Sequence, residues 1–404
     1  MAKKVLTMQV RVLVGVVILL GTMVLSGCGH YVCHTTLGNA TCNQSGGGLS
    51  QGGGGTTITQ TAFEYFVVDG DAQMTAEGLN VGSDQAFLPV SSFATPTLPA
   101  NQSSDGGMVV VNKSFLYAAF QGPNSVYGFT IDANTGAVTP VTGGSSNSPY
   151  TVLGANSMAT NPAGTLLFVA GSAGITSFSV DSTLGTLTSN GTVATAGLPA
   201  QLTTDGTGSY LYAVESAGIY AFSIGSSGAL TAVGGPYQAM AQIAGESSGK
   251  FIIGITGQDG SLGGVADPHI YFFTISPGGA LNTIPTAVST LQSPVYLAVS
   301  PNGFAYTFED DTPDGGVTIN IDPMEGFLIN STGLASLSSV SPFTTLLATR
   351  GKFDQSGQYL FAEATVSGIG GSYALPADTS TGALTSTIPS LGFPSINFAV
   401  TDAP

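Results

Sequence analysis

The pentapeptide Thr135-Gly136-Ala137-Val138-Thr139 returns four more times, with small changes, along this 404-residue chain. The other copies are Leu184-Gly185-Thr186-Leu187-Thr188, Ser227-Gly228-Ala229-Leu230-Thr231, Gly278-Gly279-Ala280-Leu281-Asn282 and Thr381-Gly382-Ala383-Leu384-Thr385. In each copy a glycine-containing turn leads into a further strand, as in a β-hairpin. The copies therefore predict one structural unit that is repeated along the chain.

A second repeated segment gives the length of that unit. It is a short run of aromatic and aliphatic residues, found at residues 64–68, 115–119, 166–170, 210–214, 251–254, 304–307 and 359–362. The runs are spaced by roughly 40 to 55 residues, and a unit of this length with four strands is typical of a propeller blade. The seven runs predict seven blades.

The two ends of the chain complement each other. The first blade lacks an innermost strand, because a linker runs directly into Phe63, whereas residues 393–400 resemble the inner strand at 293–299. Sharing one blade between the termini leaves only short, protected sheet edges. We therefore predict an all-β fold, a seven-bladed β-propeller of four-stranded antiparallel blades, whose ring is closed by a C-terminal strand that completes the first blade.

Two phrases of the repeat resemble a known family. Ser300-Pro301-Asn302-Gly303 and residues 129–139 are similar to the lactonase-type propellers, which include phosphogluconolactonase-like and YVTN-repeat proteins. The resemblance covers about residues 61–404. It implies the propeller fold and, in active members, a lactone hydrolase with His, Arg and Glu near the channel entrance. These motifs are turns and core strands, so they specify the fold far better than the function.

The N-terminus predicts export. Lys3, Lys4 and Arg11 accompany an apolar run at residues 12–25, which is typical of a secretory signal peptide. The following Leu25-Ser26-Gly27-Cys28 resembles the lipobox of bacterial lipoproteins, which implies cleavage before Cys28 and lipidation of its sulfur. Ordinary secretion with an unmodified Cys28 is the alternative. We expect a protein lipid-anchored in the bacterial cell envelope, at the outer membrane or at the cell-surface or periplasmic face.

This assignment divides the chain into three parts. Residues 1–27 are the signal peptide, residues 28–60 are a lipidated and glycine-rich flexible tether, and residues 61–404 are the propeller. Within the tether, Cys33 and Cys42 are candidates for a disulfide in an oxidising compartment. A metal site that includes His30 and His34 is the less favoured interpretation, because no second clean ligand pair exists.

The charge balance excludes one class of partner. The net charge is −16, and removal of the signal leaves four basic and 23 acidic residues, so 4 − 23 = −19. Such an acidic chain repels phosphate backbones, and nucleic acid is excluded as a partner. The expected partners are the membrane, through the lipid anchor, and a glycan, peptide or protein at the propeller mouth.

The catalytic candidates are few. His269 is the only histidine of the propeller, and it could act as a general base if paired with Asp267 or Glu215. All three are expected on the face that carries the loops between the second and third strands of the blades, which we call the mouth. A surface histidine without a catalytic role is the simpler alternative. The remaining basic residues are expected at the turns of the opposite face: Lys113, Lys250, Arg350 and Lys352. The mouth should then be acidic and poor in cations, which disfavours a phosphorylated substrate.

A cluster of carboxylates is the one candidate metal site. Glu309, Asp310, Asp311 and Asp314 offer oxygen ligands of the kind that Ca²⁺ prefers. A solvated hairpin tip is the alternative, since charged runs usually face water. No other cofactor is expected. The leading functional hypothesis is a membrane-anchored binding, interaction or structural module. The alternative is a lactonase-type hydrolase of a neutral sugar lactone that uses His269 or a divalent cation.

Overall fold

The computed structural model describes residues 31–36, 39–44, 60–68, 74–80, 86–89, 107–120, 124–142, 148–257, 265–309, 324–337, 347–366, 369–385, 388–389 and 395–402. The chain forms two compact units, Met1–Thr57 and Ile58–Pro404. In the first unit, β1 (Tyr31–Thr36) pairs antiparallel with β2 (Asn39–Gln44), and Cys33 lies opposite Cys42 in the register. Within the described residues, no helix is long and apolar enough to span a bilayer.

The second unit is built from β-strands throughout. The strands of its first part are β3 Gln60–Val68, β4 Met74–Asn80, β5 Ala86–Pro89, β6 Met108–Val111, β7 Phe115–Phe120, β8 Ser125–Ile131, β9 Val138–Pro140, β10 Tyr150–Thr151, β11 Ser157–Thr160, β12 Leu166–Gly171, β13 Gly174–Val180, β14 Leu187–Val193, β15 Gln201–Thr204, β16 Tyr210–Glu215, β17 Gly218–Ile224 and β18 Leu230–Gly234. The strands of its second part are β19 Gln242–Gly245, β20 Phe251–Ile255, β21 His269–Thr274, β22 Thr286–Ser289, β23 Pro294–Ser300, β24 Phe304–Glu309, β25 Met324–Asn330, β26 Gly333–Ser336, β27 Leu347–Phe353, β28 Tyr359–Val366, β29 Ile369–Pro376, β30 Ile388–Pro389 and β31 Ser395–Asp402.

These strands form antiparallel sheets arranged as the blades of a propeller. The described strands of this unit make six four-stranded sheets and one five-stranded sheet, in which both β9 and β10 pair with β8. Five of the sheets follow the chain in the simple order β11 to β14, β15 to β18, β19 to β22, β23 to β26 and β27 to β30, while the sheet at the termini has the order β31, β3, β4, β5. The prediction of an all-β propeller with four-stranded antiparallel blades is confirmed.

The first strands of the sheets lie side by side. β6, β11, β15, β19, β23 and β27 contact one another in this order, and β31 contacts both β27 and β6. Because these strands all run in the same direction, the loops that lead into them share one face of the propeller, which we call the mouth. The turns that follow them share the opposite face, which we call the turn face.

The repeated pentapeptide forms a contact between neighbouring blades on the turn face. Gly185 adopts a left-handed φ of +68°, and an added Cβ would overlap the Phe115 ring of the preceding blade. The Tyr117 hydroxyl donates a 2.6 Å hydrogen bond to the Gly185 carbonyl oxygen. Three further pairs repeat this bond: Tyr65 with Gly136, Tyr212 with Gly279, and Tyr306 with Gly382. The motif therefore joins each of these turns to the preceding blade through a hydrogen bond.

Candidate functional site

A cavity of about 580 Å³ lies at the centre of the innermost strands. Its lining includes Ser157 of β11, Gln201 of β15, Tyr296 of β23 and Lys352 of β27. A second cavity of about 520 Å³ lies toward the turn face and shares Thr203 and four other lining residues with the first. The two cavities therefore form one channel with both polar and apolar residues in its wall.

The position of Lys352 in this channel corrects a sequence-based prediction. Arg350 and Lys352 were expected at a turn of the opposite face, but both belong to the innermost strand β27. The turn begins only afterwards, where Asp354 accepts a backbone hydrogen bond from Gly357. Because β27 contributes Lys352 to the cavity, this cation lies in the channel wall and not, as expected, at a turn of the opposite face.

Arg350 is held by a buried carboxylate. Its Nε donates a 2.6 Å hydrogen bond to Oε2 of Glu363, which lies opposite it on β28. Burial and, to a smaller extent, the positive charge of Arg350 lower the pKa of Lys352 to about 8, while Glu363 opposes the shift. The site therefore places a guanidinium group beside an amine whose pKa is lowered toward neutral pH.

The polar cluster continues into the next blade. Ser372 lies opposite Glu363 in the β28–β29 register and donates a 2.6 Å hydrogen bond to Oε1 of Glu64 on β3. On the other side, burial raises the pKa of Tyr296, and the nearby Arg350 partly offsets this rise. The cluster thus lies where the last sheet meets the sheet formed by both termini.

The predicted His269 base is paired, but outside the channel. Its Nδ1 lies 2.7 Å from Oδ1 of Asp267. Oδ2 of the same carboxylate accepts hydrogen bonds from the hydroxyls of Tyr271 and Thr256. A carboxylate partner at Nδ1 leaves Nε2 as the basic nitrogen. His269 begins β21, the third strand of its sheet, and neither it nor Asp267 is among the described residues that line the two cavities.

Glu215 has a different environment from His269. It is only 4% exposed at the end of β16, and its Oε2 accepts the Gly197 backbone N–H at 2.9 Å. Within the described residues its Oε1 has no hydrogen-bond partner, and burial raises the pKa of the carboxyl. No hydrogen bond in the described part of the chain joins Glu215 to His269. Of the two carboxylates offered as partners for His269, only Asp267 occupies that position.

Glu309, a calcium candidate, points into the protein. It is 1% exposed, and its Oε2 accepts the Gln292 backbone N–H at 2.8 Å. Burial and the adjacent Glu325 carboxyl raise its pKa to about 10. Among the described residues, no group of three or more His, Cys, Asp or Glu side chains is placed to hold a metal ion. The other calcium candidates, Asp310, Asp311 and Asp314, lie outside the described residues, so the calcium site stays a prediction.

Comparison with known protein families gives a match in the middle part of the sequence. Residues 168–256 match the family described as Lactonase, 7-bladed beta-propeller. The resemblance to lactonase-type propellers is confirmed over this segment. The segment contains Gln201 of the channel wall, but it ends before Lys352.

Solved structures extend the likeness to most of the chain. A proposed 6-phosphogluconolactonase from Bacteroides uniformis is 16% identical with a TM-score of 0.60, and the match covers 85% of this chain and 99% of that one. The periplasmic gluconolactonase of Pseudomonas aeruginosa is 12% identical with a TM-score of 0.58, covering 86% of this chain and 100% of that one.

A third structure has a different name. Hydrazine synthase of Kuenenia stuttgartiensis is 14% identical with a TM-score of 0.50, covering 74% of this chain and 90% of that one. Identities this low show a shared fold and nothing more, which agrees with the variety of names. No curated protein sequence matches the chain significantly.

The propeller thus has a channel that sequence reasoning missed. One signal could have revealed it. The stretch Asp354-Gln355-Ser356-Gly357 has the same form as Asn161-Pro162-Ala163-Gly164, which follows β11. That likeness places the turn at Asp354 and assigns the preceding Arg350 and Lys352 to an inner strand. The predicted lipidation site, Cys28, lies outside the described residues, and for Cys33 and Cys42 only the backbone is described.

Proposed function

We propose that this chain is a lactonase-type hydrolase whose substrate, a hydroxylated lactone, binds in the central channel beside Lys352, Arg350 and Glu363. The main support for this proposal is the position of Lys352 in the wall of the 580 Å³ cavity, next to the Arg350–Glu363 ion pair. The polar side chains of Ser157 and Gln201 in the same wall suit a ligand rich in hydroxyl groups.

Lactone hydrolysis needs a base for water and a positive charge for the oxyanion. In the proposed reaction, neutral Lys352 accepts a proton as the water oxygen bonds to the lactone carbonyl carbon. The guanidinium of Arg350 stabilises the negative charge that develops on the carbonyl oxygen. The ring C–O bond then breaks, and the leaving oxygen takes up the proton from Lys352, which gives a hydroxy acid. Glu363 keeps Arg350 in place.

The cations also affect the choice of substrate. The sequence-based hypothesis was a neutral sugar lactone, because no cation was expected near the mouth. Lys352 in the channel wall, beside the Arg350–Glu363 pair, suits a lactone that becomes an anionic hydroxy acid, and it favours the hydrolase over the binding module. The likeness to the gluconolactonase of Pseudomonas aeruginosa supports the same class of substrate.

The test is Lys352→Met in the full chain, with Cys28→Ser to prevent lipidation. We expect kcat/KM for glucono-δ-lactone, followed by acid release, to fall roughly 100-fold or more, because the base is lost. In the unmodified enzyme, kcat should rise with pH through about 8 as Lys352 loses its proton. The matched control is Lys250→Met on the turn face, which should leave turnover unchanged.

Two results would contradict the hydrolase. Lys352→Met could retain full activity, which would exclude Lys352 as the base. Alternatively, the unmodified chain could bind the lactone without opening it, and that result would favour the binding module.

We also propose that the chain is exported and anchored through a lipid on Cys28. The basic residues, the apolar run and the Leu25-Ser26-Gly27-Cys28 motif support this proposal. Intact mass of the mature chain should show a diacylglyceryl group, and Cys28→Ser should move the protein from the membrane fraction to the soluble fraction. An unmodified Cys28 in a secreted chain would contradict it.

For the scaffold, we infer a ring of seven blades that is closed by β31. The pairing of β31 with β3, and the contacts of β31 with β6 and β27, support this inference. Deletion of residues 395–404 should expose the edge of β3 and abolish cooperative unfolding. A truncated chain that unfolds like the full chain would contradict closure.

A further inference from the structure

Three leucines on the mouth expose much of their side chains to water. Leu153, Leu198 and Leu291 are 57%, 46% and 60% exposed. Each lies in a loop that leads into an innermost strand: β11, β15 and β23, respectively. The three leucines therefore lie on the same face of the propeller.

The loops that carry these leucines are held firmly. The Leu153 carbonyl oxygen accepts the Ser172 backbone N–H at 2.8 Å, and the Leu291 N–H donates to Oε2 of the buried Glu325 at 2.7 Å. Next to Leu198, the Gly197 N–H donates to Glu215. Two buried carboxylates that the proposed reaction does not use, Glu215 and Glu325, thus hold the loop backbones at Leu198 and Leu291, whose side chains stay in water. Apolar groups held in this way lose little conformational entropy on binding a ligand.

The loops that carry Leu153 and Leu198 adjoin the proposed active site. Asn156 donates a 3.0 Å hydrogen bond to the Pro199 carbonyl oxygen, which joins the loops of Leu153 and Leu198 in adjacent blades. Asn156 and Ala200, which follow the two leucines closely in sequence, line the 580 Å³ cavity. A substituent that leaves a lactone seated in the channel must pass these loops.

We infer that Leu153, Leu198 and Leu291 bind an uncharged apolar chain carried by the lactone substrate. This inference rests on the proposed function and names its substrate class: an amphipathic lactone with its polar ring in the channel and its apolar chain across the mouth. An anionic chain or surface is disfavoured by the net charge of −16. The three leucines act in specificity and have no part in the chemical step.

The test measures binding with probes that cannot be hydrolysed. A δ-lactam bearing an octyl chain and the same lactam bearing a methyl group are titrated calorimetrically into the full chain with Cys28→Ser. We expect Leu198→Ser to raise the Kd of the octyl lactam about 3- to 10-fold and to leave that of the methyl lactam unchanged, because one leucine contact is lost. Combining it with Leu153→Ser should weaken octyl binding further.

The chain offers a matched control on the other face. Leu184 is 42% exposed and lies in the turn-face pentapeptide, so Leu184→Ser should leave both Kd values unchanged. Equal weakening by Leu184→Ser, equal binding of the two lactams, or no binding of the octyl lactam by the unmodified chain would overturn the inference. Turnover of the corresponding lactones is measured separately. Leucine-dependent binding without turnover would refute the hydrolase and leave the apolar site standing.

Discussion

The two faces of the propeller differ in how regularly the sequence repeat is kept. On the turn face, the same tyrosine–glycine contact recurs in blade after blade. On the mouth, the last residue of the second strand is Gly171 in β12, Glu215 in β16 and Glu309 in β24. The repeat is therefore kept where it joins blades and varies where loops surround the channel.

Each residue on the mouth meets the incoming loop differently. Gly171 leaves room for the Leu153 carbonyl oxygen, which would lie 2.6 Å from an added Cβ. Glu215 and Glu309 instead accept backbone N–H groups of the loops before β15 and β23. The residue that ends the second strand therefore differs from blade to blade, and the incoming loop differs with it. Variation of this kind in loops on a common scaffold is how one fold comes to hold different sites.

The largest expected effect comes from breaking the turn-face contact at its glycine. Gly185→Ala should lower the free energy of unfolding by about 2–4 kcal/mol, since the residue has a left-handed φ and its new Cβ would overlap the Phe115 ring. Chemical denaturation of the full chain measures the change.

The matched control lies on the mouth. An added Cβ at Gly197 would meet nothing closer than 3.8 Å, so Gly197→Ala should change the stability by less than about 0.5 kcal/mol. Equal effects of the two substitutions would show that the difference between the faces is not energetic.

The mouth should show its own dependence on pH through Glu309. Its pKa is raised to about 10 in the folded protein, so the protonated carboxyl stabilises the fold fully below its unfolded pKa of about 4.5. That contribution is lost as the pH rises toward 10, with a slope of at most about 1.4 kcal/mol per pH unit. Glu309→Gln keeps a neutral side chain and should flatten the decline of stability between pH 5 and pH 9, measured by urea unfolding. An unchanged slope would show that Glu309 does not titrate in this range.

A smaller effect is expected from the hydroxyl of the turn-face contact. Tyr117→Phe removes the bond to Gly185 and leaves its buried carbonyl oxygen without that donor, at a cost of about 1 kcal/mol. The comparison is Ser177→Ala, because Ser177 donates the corresponding 2.6 Å bond to Gly228 in a blade where Phe168 has no hydroxyl. Thermal unfolding with no loss in either variant would show that the aromatic packing alone holds the blades together.

The features that could be predicted from the sequence are those that depend on residues close together in the chain. The pentapeptides and the aromatic runs predicted the blades, because a repeated motif shows where each turn lies and which residues face the core. A carboxylate partner for His269, either Asp267 or Glu215, was also predicted, and the structure shows Asp267, two positions away, in that place. These features depend on local spacing.

The channel site depends on alignment between distant strands. Arg350 and Lys352 were placed in a turn, and β27 has a register irregularity between Ala348 and Arg350 that regular alternation does not reveal. The proximity of Glu325 to Glu309 depends on the register of β24 with β25, and Thr307 lies opposite Glu325 there. Residues brought together by the register across a long loop leave no periodic pattern in the sequence.

The smallest effect on the propeller is expected from the predicted disulfide, which belongs to the other unit of the chain. Cys33 and Cys42 lie directly opposite in an antiparallel pair, where Cα atoms are about 4.5–5.5 Å apart and within the usual range of a disulfide. Non-reduced intact mass should therefore be lower than the reduced mass by two hydrogens. Cys33→Ser should abolish that difference and leave the unfolding of the propeller unchanged within about 0.5 kcal/mol, because the crosslink would close only a short hairpin. Two titratable thiols in the protein purified without reductant would contradict the disulfide, and a destabilised propeller in the Cys33→Ser variant would show that the two units are energetically coupled.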